Sequence, residues 1–434
     1  MSNAPEQADV TVIGGGISGL SASIHLAQAG LRVICIEPQG ISQPVGESLD
    51  WSAPALLEAL GLPMKDLIAA GIATYKRHVT LRLGDGSTQH YIPSDWLGRP
   101  PFNIELRTLH VDRLRLDAEL RAIATREGVA MVCDKVVAVE RSGKTLLAAK
   151  TASGARFAST WFVDASGAGT SLLAREFRLP AHEYGPRKVA MWAYFQVPEP
   201  SEGTTIYATG GKPSYMDWIW EIPIRPGIIS VGCVAAGDTV KAQRRSGLTV
   251  EGIFRAHLHR FPRFSPLLRN APCLSVHVTS FHCRVHEGVA GQNWIVVGEA
   301  ASVVDPMTSN GVTAALRHAS EAAALIVRYR RRGRIPSLAA SMYSRRILNV
   351  GRFFNSGIEH VIYDWPIRNR IGVLTAGDVY TIPAWVMNTV YARLRPRGAG
   401  STLLYCSVLG FLRAAIALYR RLCRHVAPAP EPAG

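Results

Sequence analysis

Three glycines near the start of the chain have the spacing of a dinucleotide-binding turn. They are Gly14, Gly16 and Gly19, and they lie between a β-branched apolar run and a segment with helical periodicity. Such a turn needs a tight bend, close approach of the backbone to a pyrophosphate, and close contact between helix and strand. Glu37 ends the next apolar run, where a carboxylate can accept a hydrogen bond from a ribose hydroxyl. The pattern predicts a site for a dinucleotide cofactor that carries no phosphate on its ribose. The alternative is an ordinary βαβ turn.

Two further acids follow predicted buried strands. Asp164 lies in VDASG, residues 163–167, whose small residues allow a loop to lie close to a flat cofactor. Glu299 lies in VGEAASVVDP, residues 297–306, where an acid can bind hydroxyl groups of a cofactor. The helix predicted after this segment offers free N–H groups and a positive dipole to an anion. A plain tight turn is the alternative for VDASG.

A tryptophan pair marks another predicted strand. Trp218 and Trp220 occur in WIWEIP and are two residues apart, so they share one face of the strand. Packing of two large aromatic side chains in a core is the alternative to a role in a site.

Composition and charge set the class of protein. The chain has 434 residues, of which 47% are apolar, and this favours a globular α/β protein. Its seven cysteines are scattered without the short paired spacing of a zinc or redox site, which is typical of a reducing cytoplasm and predicts no metal centre. The N-terminus is polar and leaves no room for an export signal before the first strand. The net charge of +15 is spread along the chain, so nucleic-acid binding is not expected.

Local periodicity predicts the intervening elements. VGES at residues 45–48 forms a turn before a helix that stops at Gly61, and residues 71–87 form one alternating strand that ends at Asp85 and Gly86. Residues 109–128 form an amphipathic helix with Leu114, Leu120 and Ile123 inward. Residues 187–235 are predicted to be rich in β-strands.

The C-terminal segment has features of a surface helix. The apolar run from Leu403 to Leu412 is too short to span a bilayer before Arg413 interrupts it. Arg413, Arg420 and Arg424 share one helical face, which suits a helix at residues 403–424 lying on an anionic membrane or docking on a partner. The alternative is a terminal helix that packs on the body with its arginines outward.

Together these motifs resemble the flavin-dependent halogenases, within the FAD-dependent monooxygenases of the hydroxybenzoate hydroxylase type. The glycine turn, VGES, VDASG, WIWEIP and VGEAASVVDPMTSNGV occur in the order of that family, through about residue 380. The branch that acts on phenolic or carrier-bound pyrrolyl substrates is the most similar. The resemblance implies FAD as the cofactor, with Glu47, Ser48 and Arg113 among the residues that reach it. A solvated helix arginine is the alternative for Arg113.

The resemblance also assigns the ring-facing loop, residues 306–311. Pro306 and Gly311 would lie against the isoalloxazine ring of the flavin. The N-terminus of the helix predicted after this loop suits an anionic reduced flavin or a halide. The halide-binding positions would be Thr308, Ser309, Asn310 and Gly311. Two residues depart from the family pattern, since Asn310 replaces a serine and Glu299 replaces an aspartate.

A lysine is the implied catalytic residue. Lys76 follows VGES by the family interval, and the WIWEIP tryptophans would lie beside the channel between flavin and substrate. A buried ammonium would donate a hydrogen bond to hypohalous acid, or a free amine would carry the halogen. A solvated lysine at a strand start is the alternative.

The predicted architecture is α/β. A Rossmann-like FAD-binding domain, residues 1–350, is discontinuous and holds an inserted β-sheet substrate domain at about 76–108 and 175–290. A C-terminal helical region with a disordered tail occupies residues 351–434.

Three functions follow from the motifs. They are a halogenase that uses reduced flavin, oxygen and halide on an electron-rich aromatic substrate, a monooxygenase, and a reductase of a lipid-like substrate. The expected partner is a small aromatic substrate, either free or bound to an acidic carrier protein. The flavin would be reduced either by a separate flavin reductase, as in the resembling halogenases, or by a transiently bound nicotinamide nucleotide, as in the hydroxylases. The expected location is the cytoplasm, with peripheral membrane contact through residues 403–424.

Overall fold

The computed structural model describes residues 8–38, 43–83, 88–91, 107–208, 216–270, 275–364 and 399–425. The strands in these ranges are β1 Ala8–Ile13, β2 Val33–Glu37, β3 Ala73–Lys76, β4 His78–Leu83, β5 Thr88–Tyr91, β6 Thr108–Val111, β7 Ala130–Cys133, β8 Val136–Ser142, β9 Thr145–Thr151, β10 Arg156–Asp164, β11 Ala181–Gln196, β12 Gly203–Ala208, β13 Trp218–Arg225, β14 Ile228–Ala236, β15 His277–His286, β16 Trp294–Val296 and β17 Ser302–Val303. The helices are α1 Ile17–Gln28, α2 Ala53–Glu58, α3 Met64–Ala69, α4 Arg113–Arg126, α5 Gly167–Thr170, α6 Leu172–Glu176, α7 Gly237–Arg245, α8 Val250–Leu258, α9 Ser265–Arg269, α10 Gly311–Tyr329, α11 Ser337–Gly357 and α12 Ala399–His425.

The first sheet is the Rossmann-like core. Its order is β7-β2-β1-β10-β9-β8, and β16 also pairs with β10. The central pairings β2–β1, β1–β10 and β10–β16 are parallel. Helix α1 crosses from β1 to β2 and packs against α10, so β1 is covered and its apolar run is buried. The carboxyl ends of β1, β10 and β16 therefore meet at one edge, where ligands of such sheets bind.

The second sheet forms the other half of the molecule. Its order is β17-β15-β11-β14-β13-β12-β4-β5, with every pairing antiparallel except the parallel pairing of β12 with β4. Alternation along its strands separates two apolar clusters. Trp218 and Trp220 belong to the cluster that includes side chains of α11 and α12, whereas Ile219 belongs to the cluster that includes side chains of α8. The α/β class, the β-rich stretch at 187–235 and the C-terminal helical region are confirmed.

The strand predicted at residues 71–87 is wrong as one element. It is two strands, β3 and β4, divided at Arg77. β3 pairs with β6 in a separate two-stranded sheet, and β4 joins the large sheet. The division places Lys76 at the last residue of β3, between the two sheets. The predicted turn at Asp85 and Gly86 lies outside the described residues.

The helix predicted over 109–128 begins later than expected. Residues 108–111 form β6, and Asp112 caps α4 by accepting a hydrogen bond from the Arg115 N–H. Leu120 and Ile123 are buried as predicted, but Leu114 is 52% exposed and the inward position belongs to Leu116. The buried face of α4 therefore differs from the predicted one in the first turn of the helix.

The C-terminal helix is longer than its apolar run suggested. Within α12, Ser401–Leu422 has a mean hydropathy of 1.7 and is long and apolar enough to cross a membrane by length and composition. The prediction that Arg413 makes this segment too short is therefore wrong. Helix α12 packs along α11, and Tyr405, Leu409 and Ile416 are buried there. The predicted disordered tail lies outside the described residues.

Candidate active site at the edge of the two sheets

A cavity of about 520 Å³ lies where the edge of the Rossmann-like sheet meets the second sheet. The β1–α1 turn, the VGES loop and the VDASG loop contribute to its wall on one side. Strands β11, β13 and β15 and the loop before α10 also line it. The cavity volume is typical of a site for a small molecule or cofactor.

The three glycines of the first turn are required for three different reasons. Gly14 has φ +101°, and a Cβ there would lie 2.4 Å from the Ala165 carbonyl oxygen. A Cβ at Gly19 would lie 1.8 Å from the Gly14 carbonyl oxygen, so the helix can approach the strand only without a side chain. A Cβ at Gly16 would meet nothing within 4 Å, because Gly16 faces the cavity. The N-terminus of α1 is thus open to an anion.

Glu37 stands at the end of β2 beside this turn. A Cβ on Gly15 would lie 2.5 Å from its Oε2 atom, so the carboxylate lies directly against the glycine loop. Arg121 of α4 donates a hydrogen bond to the same oxygen. The sequence did not point to Arg121, because its contact with Glu37 spans 84 residues.

Asp164 shapes the VDASG loop and does not line the cavity. Its carboxylate is fully buried and accepts hydrogen bonds from the backbone N–H groups of Ser166, at 3.0 Å, and Leu173, at 2.6 Å. The small residues Ala165 and Gly167 line the cavity instead. The acid therefore fixes the turn, and the absence of larger side chains keeps the space open.

Glu47 of VGES is a buried carboxyl group on the cavity wall. It accepts a hydrogen bond of 2.8 Å from the Tyr194 hydroxyl. Burial raises the pKa of Glu47 to about 7, although hydrogen bonds and the Arg113 charge act in the opposite direction. Glu47 is therefore a group that can exchange a proton near neutral pH.

Arg113 is the first residue of α4, and its side chain is buried against the cavity. Its guanidinium forms two hydrogen bonds of 3.0 Å with Asp117, and it also donates to the Val45 carbonyl. The alternative of a solvated helix arginine is therefore wrong. Glu299 follows β16 and lines the cavity, where its side chain is exposed to the cavity space. Desolvation by the surrounding protein raises the pKa of its carboxyl, and the Arg113 charge opposes this change.

The loop of residues 306–311 presents only some of its predicted halide-binding groups. Pro306, Ser309 and Gly311 line the cavity. The Thr308 hydroxyl donates to the Asp305 carbonyl at 2.8 Å, and the Asn310 amide donates to Asp50. Since Thr308 and Asn310 are absent from the cavity wall, their side chains serve the loop, which leaves the Ser309 hydroxyl and the N-terminus of α10 toward the cavity.

Lys76 is buried directly behind this loop. Its Nζ atom donates to the Leu49 carbonyl at 3.0 Å and to the Ser309 Oγ at 3.4 Å. It does not line the cavity itself. Burial lowers the pKa of Lys76 to about 8, and the Asp50 charge opposes this effect. The ammonium is therefore a strong donor, and a free amine is accessible at mildly alkaline pH.

Ser309 extends the contacts of Lys76 into a polar network. Its hydroxyl donates to the Ser48 Oγ at 3.2 Å, and Ser48 lies 2.9 Å from the Thr204 hydroxyl. Thr204 in turn lies 2.9 Å from His110 Nε2. Burial lowers the pKa of His110 well below its usual range, so this imidazole is neutral. Thr204 and His110 carried no sequence signal, because only the tertiary fold brings their strands together.

The two tryptophans form an apolar wall. Trp218 and Trp220 line the cavity with ring centroids 5.9 Å apart. Their indole N–H groups donate to the Tyr363 hydroxyl at 2.9 Å and to Ser230 at 3.1 Å. Because both donors are satisfied by the protein, the rings offer flat apolar surface to an aromatic molecule.

A buried cation, Lys188, lies next to the loop of residues 306–311 and binds the carboxylate that precedes it. Lys188 is fully buried and donates hydrogen bonds of 2.7 Å to both Asp305 and Glu359. Asp305 also accepts a hydrogen bond of 3.0 Å from the Met307 N–H, so the lysine and the loop share one carboxylate. The sequence analysis did not identify Lys188.

Comparison with known proteins identifies the family. The model of the tryptophan halogenases matches residues 105–347, more than half of the chain, and that of the FAD dependent oxidoreductases matches residues 9–84. The chain belongs to the tryptophan halogenase family. Like other members, it uses FAD, and the glycine turn, the open α1 N-terminus and the small residues of the VDASG loop leave room for that cofactor.

Individual members of the family and its neighbours are distant in sequence. A tryptophan 2-halogenase of Chondromyces crocatus is 27% identical over 74% of this chain and 61% of the relative, so the chain spans less than two thirds of that enzyme. A 1H-pyrrole-2-carbonyl-[peptidyl-carrier protein] brominase of Pseudoalteromonas luteoviolacea is 27% identical over 73% of the chain and 76% of the relative. A menaquinone reductase of Mycobacterium tuberculosis is 27% identical over 78% of the chain and 81% of the relative.

The fold of the halogenase family is also found in a solved structure. The flavin-dependent brominase Bmp2 superposes with a TM-score of 0.74 at 22% identity, covering 96% of this chain and all of that one. At this identity the likeness concerns the fold alone. The Rossmann-like FAD-binding domain predicted from the sequence is thereby confirmed.

Proposed function

We propose that this member of the tryptophan halogenase family is an FAD-dependent halogenase of an electron-rich aromatic substrate. The observation that carries the proposal is the contact between Lys76 and Ser309. The ammonium is buried, has a lowered pKa and lies 3.4 Å from a hydroxyl on the cavity loop. A structural lysine at a strand end would ordinarily extend into solvent, since burial of its charge costs free energy. This position suits a group that acts on a halogen oxidant formed beside the loop of residues 306–311.

When bound, reduced FAD would give two electrons to oxygen, and the resulting peroxide-level oxygen would take two electrons from a halide ion to form hypohalous acid. The N-terminus of α10 provides N–H donors for the halide. The Ser309 hydroxyl would add a donor when its proton turns from the Ser48 Oγ to the halide. A proton would then pass from the Lys76 ammonium through the Ser309 hydroxyl, which lines the cavity, to the hydroxyl group of hypohalous acid as the substrate carbon attacks the halogen. Water leaves, and the aromatic carbon loses its proton, so a carbon–hydrogen bond is exchanged for a carbon–halogen bond.

The cavity favours an aromatic substrate. Trp218 and Trp220 provide flat apolar surface, and their polar atoms are already occupied. We infer a phenolic or pyrrolyl ring, either free or attached to an acidic carrier protein. The net charge of +15 supports docking of an acidic partner, because complementary charge accelerates encounter.

We infer that the enzyme works in the cytoplasm with a separate flavin reductase. The sequence shows one glycine fingerprint, and FAD accounts for it. Reduced FAD would therefore arrive from another enzyme. Addition of a flavin reductase with its nicotinamide cofactor should sustain turnover, whereas the nicotinamide cofactor alone should not.

The direct test is mass spectrometry of products. Wild-type protein is incubated with chemically reduced FAD, oxygen, chloride or bromide, and a panel of phenols, pyrroles and indoles, with pyrroles tested both free and on a carrier protein. A halogenase gives products with the mass and isotope pattern of one added halogen. A product that contains oxygen instead of halogen in every reaction would overturn the proposal in favour of the monooxygenase.

A reductase of a lipid-like substrate is the second candidate. The menaquinone reductase relative is matched over 81% of its length, a larger share than the tryptophan 2-halogenase. The discriminating reaction is anaerobic incubation of the reduced holoenzyme with a menaquinone. A reductase would oxidise its bound flavin in this reaction and reduce either the ring or the side chain of the menaquinone. This result, together with no halogenated product from the reactions in air, would favour the second candidate.

A further inference from the structure

The outward side of α12 is apolar along its described length. Six large apolar side chains face away from the protein body, and Leu404, Phe411, Leu418 and Leu422 are 58–73% exposed. The full set is Leu403, Leu404, Val408, Phe411, Leu418 and Leu422. We call these six residues the outer row. Contiguous apolar surface of this kind marks an interaction site in a folded protein.

The charges of α12 are arranged opposite to the sequence prediction. Arg420 turns toward the body and forms a 2.8 Å ion pair with the buried Asp364, and Arg413 is only partly exposed. The prediction of an outward side chain is therefore wrong for Arg420, because the buried Asp364 on the body pairs with it. The side chain of Arg424 lies outside the described residues. Arg421 is exposed at the end of the outer row.

The outer row belongs to a surface with basic and no acidic neighbours along the helix. Residues 399–425 contain no aspartate or glutamate. Arg345 is exposed on α11 next to α12, where its carbonyl oxygen accepts a weak hydrogen bond from Cys406. The whole chain carries a net charge of +15. Among the described residues, Arg421 and Arg345 are exposed beside the outer row, and the acidic Asp364 is paired with Arg420 on the inner side. An apolar row with exposed cations beside it is complementary to a surface that combines hydrocarbon with negative charge.

We propose that the outer row docks the protein on an anionic lipid bilayer, with α12 lying in the plane of the interface. A bilayer crossing does not fit, because Tyr405, Leu409 and Ile416 on the inner side are buried against the body. A second copy of the chain fits less well than lipid, because pairing two such helices would bring together two bodies of charge +15. Anionic lipid satisfies both the apolar side chains and the surrounding charge.

Docking in this position would place the bilayer beside the cavity wall. The inner side chains of α12 belong to the same apolar cluster as Trp218 and Trp220. Trp218 is linked by a hydrogen bond to Tyr363, next to the Asp364 that holds Arg420. The proposal does not depend on halogenase activity, and its test uses binding alone.

The test is sedimentation of the full-length holoprotein with vesicles. We expect wild-type protein to bind vesicles of phosphatidylcholine with phosphatidylglycerol, to bind pure phosphatidylcholine less well, and to release as salt is raised. The variant Leu404→Gln/Phe411→Gln/Leu418→Gln should bind the anionic vesicles about tenfold more weakly or worse, because each substitution removes an apolar side chain from the lipid contact.

The control replaces three apolar residues elsewhere that are 46–52% exposed. The variant Leu114→Gln/Val137→Gln/Leu147→Gln replaces exposed apolar side chains by glutamine on α4, β8 and β9. It should bind vesicles like wild type. Bound flavin absorbance verifies folding in every variant. If the triple variant of α12 loses its flavin, the single variant Phe411→Gln replaces it, and it should still weaken binding.

Three results would overturn the proposal. The first is wild-type protein that stays in the supernatant with anionic vesicles at low salt. The second is a triple variant that sediments as well as wild type. The third comes from light scattering without lipid: a wild-type dimer that becomes a monomer in the α12 variant would show that a second copy covers the outer row.

Discussion

Two glycines of the first turn, Gly14 and Gly19, lack room for a side chain within the protein, whereas Gly16 leaves space for a ligand. The roles expected from spacing alone fit the structure at Gly14, Gly16 and Gly19, because turn geometry is local and depends on a few consecutive residues. A carbonyl oxygen occupies the Cβ position at Gly14 and at Gly19, whereas the Cβ position at Gly16 is open to the cavity. Substitution at Gly16 is therefore the one that blocks a ligand without distorting the turn.

We expect Gly16→Val to abolish FAD binding while the protein remains folded. The valine side chain would enter the space that a pyrophosphate needs at the N-terminus of α1. Gly410→Val is the matched control, because no atom lies within 4 Å of the Cβ position at Gly410 either, and Gly410 lies on α12 and does not line the cavity. Flavin absorbance after gel filtration measures occupancy. A Gly16→Val protein with full flavin occupancy would remove the turn from the cofactor site.

The buried Glu47 carboxyl should make stability depend on pH. Its pKa is raised from 4.5 to about 7 in the folded protein, so the folded state holds this proton more tightly than the unfolded state. The contribution is fully present below pH 4.5 and is lost as pH rises through about 7, a change of about 3 kcal/mol at most. Urea unfolding of wild type and Glu47→Gln across this range measures the difference, and parallel curves for the two proteins would contradict the assignment.

At the scale of the element, the loop before α10 depends on a buried ion cluster. Lys188 binds Asp305 and Glu359, and Asp305 holds the loop through the Met307 N–H. Removal of the lysine would leave two carboxylates buried without their cation. The loop that carries Ser309 is therefore coupled to a strand of the second sheet.

We expect Lys188→Met to lower the free energy of unfolding by about 3–5 kcal/mol, because it leaves uncompensated buried charge. Lys150→Met is the matched control, since Lys150 forms an exposed ion pair with Glu140, and it should cost about 1 kcal/mol or less. Chemical denaturation of both variants measures the difference. Equal stability losses in the two variants would show that the buried cluster does not support the loop.

Sequence periodicity located most helices and strands, but it could not predict which residues from other segments pack against them. It placed Arg413 and Arg420 on one helical face, yet the buried Asp364 decides that this face turns inward. It joined β3 and β4 into one strand, because both alternate and only the pairing with β6 and β12 separates them. Thr308 and Asn310 were expected at the halide, but short polar side chains in turns bond to nearby loop groups.

At the scale of the whole molecule, the candidate site exists only where distant segments meet. Lys76 and Ser309 are 233 residues apart, and Ser48 and Thr204 are 156 residues apart. Family resemblance supplied Lys76 and the loop from the sequence. No local pattern could supply Thr204, His110 or Lys188, since their positions depend on how the second sheet packs against the first. The boundaries of the inserted domain remain a prediction.

The central claim is that Lys76 acts on the halogenating oxidant and not on the flavin. The most direct measurement compares wild type, Lys76→Ala and the surface control Lys65→Ala for two rates, halogenated product formation and reoxidation of bound reduced FAD by oxygen. We expect Lys76→Ala to form halogenated product about a hundredfold more slowly or worse, as for loss of a general acid. Its flavin should reoxidise like wild type, and Lys65→Ala should keep both rates. Halogenated product from Lys76→Ala at the wild-type rate would show that Lys76 takes no part in halogenation.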